Sequence, residues 1–401
     1  MPDHELPRHS LSRAAFHEFC SGAASRDTMV ALADAEYSRR RLLLRAVVDA
    51  VPANGELADP EPAWDVLVAV EARAPDVVRE LILYPPFGVW LRRAVIRLRG
   101  ADHSSGSPLE YLNTVAAAAA IRADLQCVLT LTVWHGVIVL PTVGRLRLPT
   151  RFPAGTAELR HSATGTRILA LGGRLSIRVD TTRADEHFRP APAHVVTAKG
   201  AEFAVWIDDT DPYREFAEPL PPTETGPTEL LEWRKLLDEA WDILARRHPG
   251  WAVELAAGLR TVTPVAHGDG DSGFSSAAAI GAIAVPTGLS ATTMAEVFVH
   301  EFQHSKLNAL SRLVNLTTPD ARDRYYAPWR EDPRPLAGML HGIYAFVAVA
   351  EFWLVRGDEA GATTGEFLLA HRRQQVAWAL DSLAGEIDGI TDHGAELVAA
   401  V

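Results

Sequence analysis

The stretch Val297–Leu307, VFVHEFQHSKL, constrains this chain more than any other. It lies inside an apolar run from Met294 to Leu313 that holds no proline or glycine, so a helix is expected there. His300 and His304 are four residues apart. On a helix they stand one turn above each other on the same face, roughly 6 Å apart along the axis. Two imidazoles so placed can reach one divalent metal, with Glu301 carried beside them as a base or an orienting group. A helix that merely carries two histidines and a glutamate would show the same five letters. The neighbours Phe298, Val299, Phe302 and Leu307 favour the metal, because they bury the helix and a buried polar trio needs a partner.

At 401 residues the chain is long enough for two or three domains. A hydrophobic content of 48% with 22% charged residues is that of an ordinary globular protein. The formal charge of -12 argues against generic binding of nucleic acid or an anionic membrane. Two cysteines, Cys20 and Cys127, exclude a disulfide framework or a cysteine-based metal site. The beginning Met1-Pro2-Asp3-His4-Glu5 is polar, and charges or prolines interrupt every apolar run before it reaches transmembrane length. A cytoplasmic protein is expected.

The periodicity changes twice along the chain, which predicts an α+β protein in three regions. Residues 1–124 read as helical. Ala31–Val51 lacks any breaker, and Trp64–Leu83 continues to the stop at Pro85-Pro86. Arg39, Arg40 and Arg41 form a basic cluster, read as a solvated helix face or, more sharply, a contact for an acidic peptide segment. Residues 125–210 read as an antiparallel β region. Val128–Val133 and Val137–Leu140 flank Trp134-His135-Gly136, which has the character of a hairpin turn. Asp208–Pro212 and Pro219–Pro227 then read as an acidic, proline-rich linker. Residues 211–401 return to helix and carry the metal motif; Ser276–Val285 is small and apolar enough to supply a strand against it.

A third ligand is needed. Glycine and histidine are missing from the places that follow the second motif histidine in metzincins, where Leu307 and Leu310 stand instead. His341 sits in the middle of the next long apolar helix, Leu336–Val355, and is the favoured ligand; Glu351, ten residues further on, is the alternative. The two are roughly 15 Å apart along a helix, so both cannot serve one ion. The connecting segment Arg322–Pro335 holds aromatic and charged residues between three prolines, the look of an ordered loop rather than a spacer.

The runs HEFQHSKLNAL, YYAPWREDPRPLAGMLHGIYAFVAVAEFW, YLNTVAAAAAIRA and ITDHGAELV resemble the HExxH-type, alpha-ketoglutarate-dependent peptide beta-hydroxylases associated with ribosomally made, modified peptides. The likeness covers nearly the full length. It implies a mononuclear Fe(II) enzyme that consumes alpha-ketoglutarate and O2 and hydroxylates a side-chain β-carbon of a precursor peptide. It also implies His300, His304 and His341 as the ligands. Charge and proximity in sequence add Arg330, Lys306, Arg334 and Tyr326 as candidates to hold alpha-ketoglutarate. Arg330 is the first choice among them, since Trp329 and the prolines would restrict it, and Lys306 the second. Read without the resemblance, HExxH suggests zinc, with Glu301 as the base that activates water to cleave a peptide. Most non-haem iron oxygenases use two histidines and a carboxylate, but a three-histidine site leaves as many open positions. A peptide-binding module with a structural metal is the third reading.

Overall fold

Helices come first, strands second and helices last, so the chain is mixed α+β as expected. The structure, a computed structural model, describes residues 8–51, 59–99, 109–149, 154–170, 172–223, 225–266, 273–319, 324–356, 362–384 and 389–400. Residues Met1–Glu5, Arg322 and Asp323, read above, lie outside them. The first helices are α1 (Arg13–Cys20), α2 (Arg26–Asp49), α3 (Glu61–Arg73), α4 (Pro75–Leu83), α5 (Pro85–Leu98) and α6 (Glu110–Arg122). The expected helix over Trp64–Leu83 is two helices, because Pro75 cannot continue α3 and instead opens α4. Pro85 and Pro86 likewise open α5 rather than close a helix, since the first turn has no use for their missing N–H groups.

The strands are β1 (Cys127–Val133), β2 (Val137–Leu140), β3 (Gly144–Arg147), β4 (Gly155–Ser162), β5 (Gly165–Ala170), β6 (Leu175–Val179), β7 (Phe188–Pro190), β8 (Ala193–Ala198) and β9 (Ala201–Ile207). They do not form one antiparallel sheet. Two antiparallel sheets have the orders β1-β4-β5-β6 and β2-β3-β7. The turn at His135 and Gly136, both at positive φ, is tight as expected. Its arms pair only at Trp134 and Val137 before parting into different sheets.

Helices α7 (Pro227–Arg247) and α8 (Pro249–Gly258) follow, then strands β10 (Thr261–Val265) and β11 (Ala282–Pro286). These two strands join the third sheet, ordered β11-β10-β9-β8, in which β9, β10 and β11 run parallel. Parallel neighbours require a long crossover, and α7 with α8 provides the one from β9 to β10. Helices α9 (Ala291–Leu310), α10 (Leu336–Arg356), α11 (Ala362–Leu383) and α12 (Asp392–Ala399) complete the chain. Leu336–Val355 is, contrary to the reading above, long and apolar enough to cross a membrane; 67% of it is buried inside the protein.

The two large cores do not coincide with the three sequence regions. One gathers α1 and the start of α2 with β9, α7, α8, α9 and α10, through residues such as Phe19, Met29, Phe203, Trp241 and Phe298. The other packs the end of α2 and helices α3 to α6 under the first two sheets. The acidic segment after β9 is no free linker either. Asp208 accepts from the Tyr84 hydroxyl at 2.5 Å and Asp211 from that of Tyr111 at 2.7 Å, all four side chains buried. Burial, with Asp208 beside it, pushes the Asp211 carboxyl up to about 8.

Helix α9 begins at Ser290, whose hydroxyl accepts from the Thr293 N–H at 3.1 Å, and it is buried nearly all round. On its rear face Lys306 donates to both oxygens of Glu254, at 2.8 and 2.9 Å, with neither side chain exposed. Burial opposes the charge on Lys306, but the Glu254 carboxylate more than offsets it and holds the ammonium above its ordinary range. Glu254 also accepts from the Ala24 N–H, and Tyr344 of α10 donates to the Phe19 carbonyl at 3.0 Å. One ion pair thus ties α9 to α8 and to the turn between α1 and α2. Breaking such a pair from one side leaves a buried charge alone and costs about 3–5 kcal/mol. Lys306→Met and Glu254→Gln are therefore each expected to lower the unfolding free energy by that order in urea titrations. The double variant should lose less than the two single losses combined.

Candidate metal centre

His300 and His304 point from α9 towards α10, their Nε2 atoms 3.2 Å apart. From α10 the ring of His341 stacks on His304, 5.8 Å between centroids and 28° between planes. Phe346, five residues further along, meets the His300 ring edge to face at 4.8 Å. The two helices therefore run antiparallel, which brings together histidines about forty positions apart in the chain. Donor atoms of His300, Glu301 and His304 all lie within 4.8 Å of one another. His341 stands just outside that set as the fourth wall. Glu351 is exposed on α10 and lies near Gly22, on the Lys306 side, away from the histidines.

Glu301 is held by a segment that the sequence does not single out. The Ser275 hydroxyl donates to its Oε2 at 2.7 Å. Phe274, next to it, pairs with Ala284 of β11 through two backbone bonds at 2.9 and 3.0 Å. The chain passes there only because residue 273 is glycine: a Cβ at that position would lie 2.6 Å from Val297 and 2.7 Å from the Ala284 carbonyl. Burial pushes the Glu301 carboxyl up to about 7, against the Ser275 bond that lowers it. It is thereby poised to exchange a proton near neutral pH.

The three imidazoles are driven the other way. Burial, then the charge of Arg372, brings His300 down to about 4. Burial and Arg334 do the same to His341, also about 4. His304 falls well below its ordinary value through burial, its two histidine neighbours and Arg334. At neutral pH all three are uncharged with lone pairs available. Among the described residues, His341 has no hydrogen-bonding partner and His300 and His304 bond only to each other. Three neutral imidazoles with a carboxylate at their side fit a divalent transition metal.

The loop before α10 is ordered where it is described. Tyr325 and Arg334 form an antiparallel bridge, with backbone bonds of 2.9 and 3.1 Å. Trp329 stacks on Phe346 at 4.9 Å and covers Gly342, where a Cβ would collide with the indole. Of the residues expected to hold a co-substrate, Arg334 is the one brought to the histidines. It lies along the first turn of α10 over Gly338, close enough to depress two of them. Asp332 stands between the two arginines: Arg334 Nη1 is 3.8 Å from its Oδ2, while Arg330 bonds it more closely, Nε 2.6 Å from Oδ1, with 43% of its side chain exposed. Tyr326 is exposed. Lys306 is corrected outright, since it faces the rear of α9 and is consumed by Glu254.

Arg372 is a second residue, after Ser275, that sequence reasoning missed. It reaches from α11 to lie over the Phe346 ring at 5.0 Å, 3.7 Å from Glu296, one turn before His300. Nothing in the sequence marks it out, since α11 carries other charges, Arg373 beside it among them. No family profile and no curated protein matches the sequence.

An unfolded histidine takes up a proton near 6.5, whereas His300 and His341 resist it until about 4 and His304 resists it until well below its ordinary range. The metal-free protein is thus expected to lose stability as pH falls from about 6.5 towards 4, because only the unfolded state binds those protons. Glu301 opposes this between about 7 and its unfolded value of 4.5, but as one group against three. Urea midpoints across that range should show the loss, and His304→Ala should flatten it.

Proposed function

We propose that the protein is an Fe(II)- and alpha-ketoglutarate-dependent oxygenase that hydroxylates a side-chain β-carbon of a precursor peptide in the cytoplasm. The observation that carries the reading is a cation, Arg334, held beside His304 and His341, two of the three neutral histidines. A carboxylate co-substrate needs such a charge where it meets a metal. His300, His304 and His341 would hold the iron, which when bound supplies activation of O2. Arg334 would pair with a carboxylate of alpha-ketoglutarate, for which a guanidinium offers two parallel hydrogen bonds. Glu301, fixed by Ser275, would orient a group beside the metal or carry a proton. Phe346, backed by Trp329, packs against His300 and leaves its ring partly open. In the overall reaction one oxygen atom of O2 enters the peptide C–H bond, and the other leaves in succinate as the keto acid loses CO2.

A second reading has its own support. Glu301 near 7 is suited to take a proton from water on a zinc ion, which is peptidase chemistry. Incubation with candidate precursor peptides separates the two. The oxygenase should need Fe(II), O2 and alpha-ketoglutarate, release succinate and add one oxygen to the peptide mass. Backbone cleavage with Zn(II), in the absence of O2 and alpha-ketoglutarate, would establish the peptidase instead.

The co-substrate assignment has a separate test. Arg334→Gln should weaken alpha-ketoglutarate binding to the metal-loaded protein by about 10- to 100-fold, the equivalent of roughly 1.5–3 kcal/mol for a charge-assisted bond. Metal content should stay unchanged. Arg330→Gln should bind as wild type does; calorimetric titration giving the reverse pattern would return the role to Arg330.

A further inference from the structure

Arg372 belongs to a network that reaches beyond the histidines. Its Nη2 lies 3.7 Å from Glu296 of α9, and its Cζ sits over the Phe346 ring of α10 at 5.0 Å. On its own helix, α11, the Nη1 donates to the Oε1 of Gln375 at 3.0 Å, a pairing of residues three apart on one helix face. One guanidinium thus touches all three helices around the histidines. Its Nε is buried with no hydrogen-bond acceptor among the described residues, and the aromatic face beneath the group helps to offset the loss of water there.

Gln375 carries the network on to the loop before α10. It is buried, and its Nε2 donates to the Pro328 carbonyl at 3.1 Å. Both ends of the amide are therefore used, the oxygen on a cation and the nitrogen on a carbonyl. Turning the amide over would set oxygen against oxygen, so the two partners fix its orientation together. Pro328 precedes Trp329, whose indole stacks on the same Phe346 ring at 4.9 Å and lies against Gly342, the residue after His341. The Arg330 N–H returns to the Ala327 carbonyl at 3.1 Å, so the backbone turns at this point. Around these tethers the loop is open: Tyr326, Arg330, Glu331 and Asp332 are all exposed.

We propose that Arg372 and Gln375 are positioning residues, which fasten the loop at Pro328 to α9 and α10 and so hold the Trp329 indole in place beside His300 and His341. Neither side chain hydrogen-bonds to a histidine of the trio; each acts through what it holds. Only the choice of alpha-ketoglutarate as a probe rests on the oxygenase reading. The fastening does not.

Amide hydrogen exchange of the full chain, as isolated, reads the fastening without any co-substrate. Gln375→Met keeps the length of the side chain and removes both hydrogen bonds. It should speed exchange of the Arg330 amide roughly 10-fold and leave α9 and the third sheet as protected as in wild type. Gln375→Glu can still meet Arg372 but sets an oxygen against the Pro328 carbonyl. It should loosen the loop equally, and it keeps the test open if the first variant folds poorly. Arg372→Lys retains a charge and a donor and should fall between wild type and Arg372→Met. In calorimetric titration of the Fe(II)-loaded protein, Gln375→Met should weaken alpha-ketoglutarate binding about 5- to 20-fold at unchanged metal content. In a Trp329→Leu background it should cause no further loss, since it acts through the indole. Unchanged exchange at Arg330 in both Gln375 variants would overturn the proposal. So would faster exchange throughout α9, the mark of a structural role alone, or equal losses of affinity with and without Trp329. A wild type that binds no alpha-ketoglutarate would sink the oxygenase reading and leave the exchange result to judge the fastening.

Discussion

The fully buried pair of Lys306 and Glu254 is the contact on which the arrangement of the functional region depends. It lies where α9, α8, α10 and the turn between α1 and α2 converge, and it anchors the rear of the helix whose front carries His300 and His304. A charge in that position is tolerated only with its partner in place. This makes the register of α9 against α8 a matter of electrostatics as well as of packing. A slide of one residue along α9 would turn Lys306 into apolar surroundings and the histidines away from α10 together.

Charge is handled in the same way elsewhere. Asp208 and Asp211 are buried under Tyr84 and Tyr111, and so join the third sheet to helices of the other core. Glu36 collects three arginines from α2 and from beyond the end of α9. Buried polar groups make few alternative pairings, so each of these contacts excludes competing arrangements of the helices that carry it. At the candidate metal centre the logic is inverted. The partly buried histidines sit beside cations, which keeps them neutral, and Glu301 is buried with a single hydroxyl partner, which keeps its proton exchangeable.

The groups around the histidines come from separate parts of the chain. Ser275 comes from a segment laid against β11, Trp329 and Arg334 from the loop before α10, and Arg372 from α11. None is near His300 in sequence. All are held by backbone pairing or by aromatic stacking, which leaves their polar ends little freedom and reduces the entropy lost when a ligand binds.

The metal motif, its helix and the apolar α10 were legible in the sequence because local properties determine them. An unbroken run of helix formers, a serine cap and a four-residue histidine spacing need no knowledge of the rest of the chain. The α+β order was legible for the same reason. That His341 packs against His304 follows only from α10 lying antiparallel to α9. The reading went wrong where a side chain's meaning depends on what lies opposite. Lys306 and Arg334 are both basic residues near a histidine. Only the rotation of α9 and the bridge between Tyr325 and Arg334 send one to Glu254 and the other to His304 and His341. Likewise Arg40 is indistinguishable in sequence from Arg41, yet one is wholly buried and the other half exposed. The pairing of β10 and β11 with β9, and the arrival of Ser275 at Glu301, are contacts between distant segments. Sequence determined which groups could bind a metal; the packing of helices and sheets, a long-range property of the whole chain, decided which of them share its face.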